Sequence, residues 1–97
     1  MINTILDPDK IYDLESKLKV LIHPERFDVL NYIYTEGEKT VTEIQVKFAF
    51  SEPAASYHLR ILKNHHFLRS TRDGKNIIYS INERNLEYLK KILEVQI

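Results

Sequence analysis

Apolar residues along this 97-residue chain recur first at helical spacing, then at strand spacing, then at helical spacing again. Ile11, Leu14, Leu18 and Leu21 step by threes and fours, with Tyr12 and Ile22 beside them. Asp7-Pro8 ahead of them offers a capping carboxylate and a proline at the first helical position. His23-Pro24 breaks that run and restarts it. Phe27, Leu30, Ile33 and Tyr34 then share a face of a second helix, which ends near Glu36-Gly37, where glycine suits a left-handed stop. Thr40-Val41 suits a very short strand. Thr42, with Gln45 three residues on, spells a capping box for a short helix Thr42–Phe48 that buries Ile44 and Phe48.

The next stretch, Ser51–His66, predicts a helix with two unlike faces. Ser51 or Glu52 caps it, and Pro53 is tolerated only in its first turn. Ala55, Leu59 and Leu62 fall on a buried face. Ala54, Ser56, Tyr57, Arg60, Lys63 and Asn64 fall on the other, small at its start and then polar and basic. Two extended runs follow, Phe67–Arg72 and Asn76–Ile81, separated by Asp73-Gly74-Lys75; Asp-Gly between such runs is a strong hairpin signal. Asn82 caps a last helix, Glu83–Ile97, with Leu86, Leu89, Ile92 and Leu93 as its apolar stripe.

The predicted fold class is therefore mainly α with a β-hairpin: a winged helix-turn-helix, expected as one domain over residues 1–97. Both terminal helices are apolar over more surface than one small domain covers, so a homodimer through them is expected, with Ile11, Leu14, Leu18, Leu86, Leu89 and Leu93 at the interface. The alternative is that the two helices cover each other within a monomer.

Composition narrows the function. There is no cysteine, hence no disulfide framework, thiolate metal site or thiol switch. No apolar run approaches the ~20 residues of a membrane span, and nothing reads as a signal peptide, so a cytoplasmic location is expected. No phosphate loop or nucleophile–base pair appears, so neither an enzyme nor a cofactor is expected. The formal net charge is zero, but residues 1–50 carry six Lys/Arg against nine Asp/Glu, whereas 51–97 carry eight against five. Five of those eight lie in 51–81, against two acids, which suits a polyanion on one side of the molecule.

A helix pair whose second member is small and then basic on its outer face suits the DNA major groove. The candidate contacts are Ser51, Pro53, Ala54, Ser56, Tyr57, His58, Arg60 and Lys63 on the helix, and Arg72 and Lys75 on the wing. Pro53 and Ala54 allow close approach to base edges and thymine methyls. Ser56 and Tyr57 suit phosphates or bases, and Arg60 a guanine edge or a phosphate. His58 is either a DNA contact or a half-buried structural residue, and Tyr57 either a contact or a rim residue of the core. Glu52 reads first as an acid favoured by the helix dipole, and otherwise as an acceptor for a cytosine amino group. The adjacent His65 and His66 point ~100° apart, which suits exposed cap positions better than chelation.

The segments LKVLIHPERFDVLNYI and VTEIQVKFAFSEPAASYHLRILKNHHFLRSTRDGKNIIYSI resemble the ArsR/SmtB-type bacterial transcriptional regulators. The resemblance rests on Pro24-Glu25-Arg26, on Glu43-Ile44, on Ser51, Ser56, His58, Leu59 and Leu62, and on the wing Arg72-Asp73-Gly74-Lys75. It covers about Leu18–Ile81 and implies a homodimeric repressor of an imperfect DNA palindrome. The chain departs from the pattern at Ala49, where glycine is usual, so a strained or differently shaped turn is expected. It also lacks the cysteine motif that metal-sensing members carry near Val41–Glu43, and histidine is absent from its last helix. No metal site of either kind is expected. The alternatives are a winged-helix protein-interaction module that never touches DNA, and a sensor with a non-standard ligand site.

Overall fold

In a computed structural model, which describes residues 7–94 and side chains as far as residue 91, five helices surround a small sheet. The order is α1 (Pro8–Ile22), α2 (Pro24–Glu36), β1 (Lys39–Thr40), α3 (Val41–Phe48), α4 (Glu52–Asn64), β2 (Leu68–Asp73), β3 (Asn76–Ile81) and α5 (Glu83–Glu94). Residues 95–97, which the sequence assigned to the last helix, lie outside the described part, as do the side chains of Ile92 and Leu93.

Local chemistry sets most boundaries. The Asp7 carboxylate accepts from the Asp9 amide at 2.9 Å, and Pro8 opens α1. His23 holds extended backbone between α1 and α2, and Pro24 opens α2. Gly37, at φ 93°, ends α2. The start of α3 differs from expectation by two residues. Thr40, not Thr42, is its cap: the Thr40 hydroxyl accepts from the Glu43 amide at 3.2 Å, and the Glu43 carboxylate accepts from the Thr40 amide at 2.9 Å. Thr40 also pairs with Ile78 as the last residue of β1, which draws the helix start back to it.

The turn between α3 and α4 is the shape glycine would favour, made with alanine. Ala49 sits at φ 57°, ψ 39°, and the Phe50 amide reaches back to the Gln45 carbonyl at 3.2 Å. At the far end of α4, His66 occupies the same left-handed region at φ 66°. There the Phe67 amide reaches the Leu62 carbonyl and the His66 amide the Lys63 carbonyl, both at 2.9 Å, a Schellman ending that turns the chain into β2.

The sheet is antiparallel in the order β1-β3-β2. Asp73 pairs with Asn76, so the hairpin loop is the two residues Gly74-Lys75 rather than the expected Asp73-Gly74-Lys75. Gly74, at φ 64°, supplies the positive dihedral at the loop's first position. The register places Leu68, Ser70 and Arg72 opposite Ile81, Tyr79 and Ile77 on one face.

One core joins these elements. Val29, Leu30 and Ile33 of α2, Ile44 of α3, Ala55, Leu59 and Leu62 of α4, and Phe67, Leu68 and Tyr79 of the wing are all buried, with Val20 and Leu89 from the terminal helices. Phe48 and Phe50 stack at 5.5 Å and pack against this core beside Tyr32, fixing the turn between α3 and α4. The recognition-type helix α4 is thus seated on α2, α3 and β2, which hold its inner face and leave its outer one free.

Leu89 corrects one expectation. It is 3% exposed and belongs to the chain's own core, so it offers no surface to a second copy. Leu14 and Leu86 are half-buried, while Ile11 and Leu18 stand exposed with Tyr12 and Ile22.

Candidate nucleic-acid interface

The inner face of α4 takes Ala55, His58, Leu59 and Leu62, which leaves Pro53, Tyr57, Arg60, Lys63 and Asn64 exposed on the outside. Ser51 is the N-cap: its hydroxyl accepts from the Ala54 amide at 3.2 Å. Glu52 therefore does not cap the helix. Its carboxylate accepts from the Ser56 hydroxyl one turn later at 2.8 Å, so acid and hydroxyl hold each other. Ala54 is half-buried at the start of the helix, and Tyr57 is 48% exposed.

Alongside α4 runs an open groove of about 550 Å³ that ends at the wing. One wall is Glu52, Ser56, Arg60, Lys63 and Asn64 of α4. The other is Thr42 and Gln45 of α3 with Lys75, Asn76, Ile77 and Tyr79 of the hairpin. Burial pushes the Tyr79 phenol above its ordinary value, and the Arg60 guanidinium nearby pulls the other way. Three cations, Arg60, Lys63 and Lys75, thus line one concave strip with a single acid that is already hydrogen-bonded. Arg72 is exposed on the same hairpin, across from Ile77.

The sequence reading missed Thr42, Gln45 and Asn76 here. The first two read from the sequence as a capping pair; with Thr40 as the cap they stand on α3 facing the groove. Asn76 reads from the sequence only as the start of a strand.

His58 corrects the expected contact set. It is 5% exposed and faces inward, with Nε2 3.2 Å from Glu25 Oε1. Its ring lies 5.1 Å from that of His23 and 5.4 Å from that of Phe50. The signal was present in the spacing, since 55, 58, 59 and 62 form one helical stripe. His65 is half-buried with Nδ1 3.1 Å from the Ile61 carbonyl, and His66 is exposed. Among the described residues no three His, Cys, Asp or Glu side chains gather as a metal site, and no helix is long and apolar enough to cross a membrane.

This geometry has known counterparts. The family model described as bacterial regulatory protein, arsR family, matches residues 23–70, from the α1–α2 break into β2. The transcriptional repressor PagR of Bacillus anthracis is 32% identical over 76 residues, covering 78% of this chain and 76% of that one. The chain belongs to the ArsR family of bacterial regulatory proteins. Its likeness to another repressor, that of an arsenical resistance operon in Staphylococcus xylosus, is 28% identity over 86% of this chain and 79% of that protein. The crystal structure of PagR superimposes with a TM-score of 0.73 at 29% identity, covering 90% of this chain and 99% of that one. In this ArsR-family chain the matched segment spans α2, α3, α4 and the start of the wing; it holds the α3 and α4 sides of the groove, while Lys75, Asn76, Ile77 and Tyr79 lie beyond it.

Proposed function

We propose that the protein is a sequence-specific, homodimeric transcriptional repressor that places α4 in the DNA major groove of each half of a palindrome. A cytoplasmic location goes with this reading. The observation that carries it is the outer face of α4, where Pro53, Tyr57 and Arg60 stand free above a groove edged by Lys63 and Lys75. Small residues at the helix start permit close approach, and a guanidinium two turns later reaches a guanine edge or a phosphate. Ser51, Ser56 and Tyr57 offer hydroxyls to the backbone. Arg72 and Lys75 extend the contact along the neighbouring minor groove. Two copies set their recognition helices one helical turn apart, ~34–36 Å.

Selection of bound sequences from a random duplex pool tests this directly. The expected product is an inverted repeat with half-sites about 10 base pairs apart. Arg60→Ala is expected to weaken binding to that product by about tenfold or more, an ordinary loss for one base-edge contact. An unenriched pool, or an Arg60→Ala variant that binds like the parent at several salt concentrations, overturns the assignment.

A further inference from the structure

The inner side of the recognition helix carries an ionisable cluster that the proposed DNA contacts do not use. His58 is buried, and its Nε2–H donates to the Glu25 carboxylate at 3.2 Å. Its other nitrogen, Nδ1, is buried with no partner among the described residues, as are His23 Nδ1 and Arg26 Nε beside it. His23 is the break between α1 and α2, and Glu25 lies in the first turn of α2. The cluster therefore joins the elbow of the terminal helix to the back of α4. It is a long-range contact, 33 residues apart in the chain, and the ring of Phe50, just before the Ser51 cap, closes it.

We propose that Glu25 and His58 form a positioning latch that seats the recognition helix for DNA only while His58 is neutral, so that acidification releases DNA. The inference rests on the DNA-binding reading above. A neutral imidazole suits this seat, with one N–H donated to Glu25 and a bare lone pair turned into the core. A second proton would create a buried N–H with no acceptor, beside a second imidazole and a guanidinium. The charged or titratable groups facing His58 are His23 from the α1–α2 break, Glu25 and Arg26 from α2, and Tyr57 on its own helix. Phe50, from the turn before α4, presents only a ring. Burial is the largest influence and lowers the proton affinity of His58; Glu25 opposes it by hydrogen bond and charge, and His23 and Arg26 add to the lowering. Glu25 is half-exposed, so water weakens its opposing pull.

The sign is diagnostic. Charging histidines near a duplex adds positive charge, so acidification alone should tighten binding. A latch on the inner side of α4 does the reverse.

The test is the affinity for the selected duplex at constant ionic strength between about pH 8 and about pH 5.5, for the parent, Glu25→Gln and His58→Gln. The parent is expected to lose about twofold or more by the acid end of this range, as the titration of a histidine below its ordinary value couples to binding. His58→Gln keeps a donor for Glu25 but takes no proton, and is expected to bind with a flat profile. A companion measurement follows the His58 ring protons by NMR in the free parent and in Glu25→Gln. The midpoint is expected below the ordinary histidine range and lower still without the carboxylate; this readout stands even if His58→Gln fails to fold. A flat or rising parent profile, an unchanged slope in His58→Gln, or a midpoint indifferent to Glu25→Gln overturns the latch. Absence of binding at pH 8 overturns the DNA reading instead, and leaves the ring titration to judge the Glu25–His58 link.

Discussion

Ala49 holds a left-handed backbone, φ 57°, because the chain must reverse there to bring α4 across α3. Its Cβ then crowds the following carbonyl, at ~1–2 kcal/mol for an L-residue. The position is exposed, so burial of that methyl offsets little of the cost. Ala49→Gly is expected to stabilise the fold by about 0.5–1 kcal/mol after glycine's extra unfolded-state entropy, raising the melting midpoint by roughly 3–6 °C. Thermal unfolding by circular dichroism checks it, and an unchanged or lower midpoint would remove the strain argument. His58 gives a second residue-scale expectation. Burial lowers its proton affinity in the folded chain, so the unfolded chain binds the proton first. Stability is complete above the ordinary histidine value of about 6.5 and falls as pH drops from there toward the lower folded value. The melting midpoint of the parent should fall over that window more than that of His58→Gln. Neither effect was fully legible in the chain. The departure at Ala49 stood out because glycine is the easy choice for such a turn. The partner of His58, by contrast, lies 33 residues away, beyond the reach of any local pattern.

Among the elements, the wing shows what a turn signal can and cannot specify. Asp73-Gly74-Lys75 marked the hairpin, yet Asp73 pairs with Asn76 and the loop is Gly74-Lys75 alone. The signal located the reversal, while the pairing of Leu68 with Ile81 and Ser70 with Tyr79 set its register by burying one face. That register puts Lys75 at the tip and Arg72 three residues back, both exposed. If both neutralise phosphates, the slope of log affinity against log salt should fall by about 0.9 for each of Lys75→Ala and Arg72→Ala, with little change in base preference. Titrations at several salt concentrations measure this; parent-like slopes would place the wing off the duplex. The start of α3 taught a related lesson. Thr40–Glu43 and Thr42–Gln45 both fit the capping pattern, and only the pairing of Thr40 with Ile78 in β1 decides between them. Helices, strands and their order followed from spacing because each is amphipathic. The caps followed less well, because competing residues lie two apart and a tertiary contact chooses.

The described residues extend 52 × 24 × 21 Å, and their radius of gyration is 15.0 Å against about 12 Å for a compact chain of that length. Its large exposed apolar side chains concentrate on α1 and α2: Ile11 at 52%, Tyr12 at 71%, Leu18 at 38% and Ile22 at 74%, with Phe27 at 49% and Tyr34 at 52%. Ile11, Leu18 and Ile22 lie on one stripe of α1, seven and eleven residues apart. Phe27, Leu30, Tyr34 and Leu86 line an apolar groove of about 270 Å³ between α2 and α5. Leu89 is already spent on the core, which moves the expected interface away from the middle of α5 and toward α1. A second copy is the economical cover for this stripe, since a two-fold axis lets one apolar surface satisfy itself. Ile22→Asp puts a carboxylate where that surface is most exposed, and should leave the isolated fold intact because Ile22 packs on little within its own chain. The expected result is a folded monomer by circular dichroism and sedimentation, binding the palindrome at least about tenfold more weakly, because each half-site must then be held without its tethered neighbour. A variant that stays dimeric would move the interface off α1. One that becomes monomeric yet binds the palindrome as the parent does would detach dimerisation from DNA recognition.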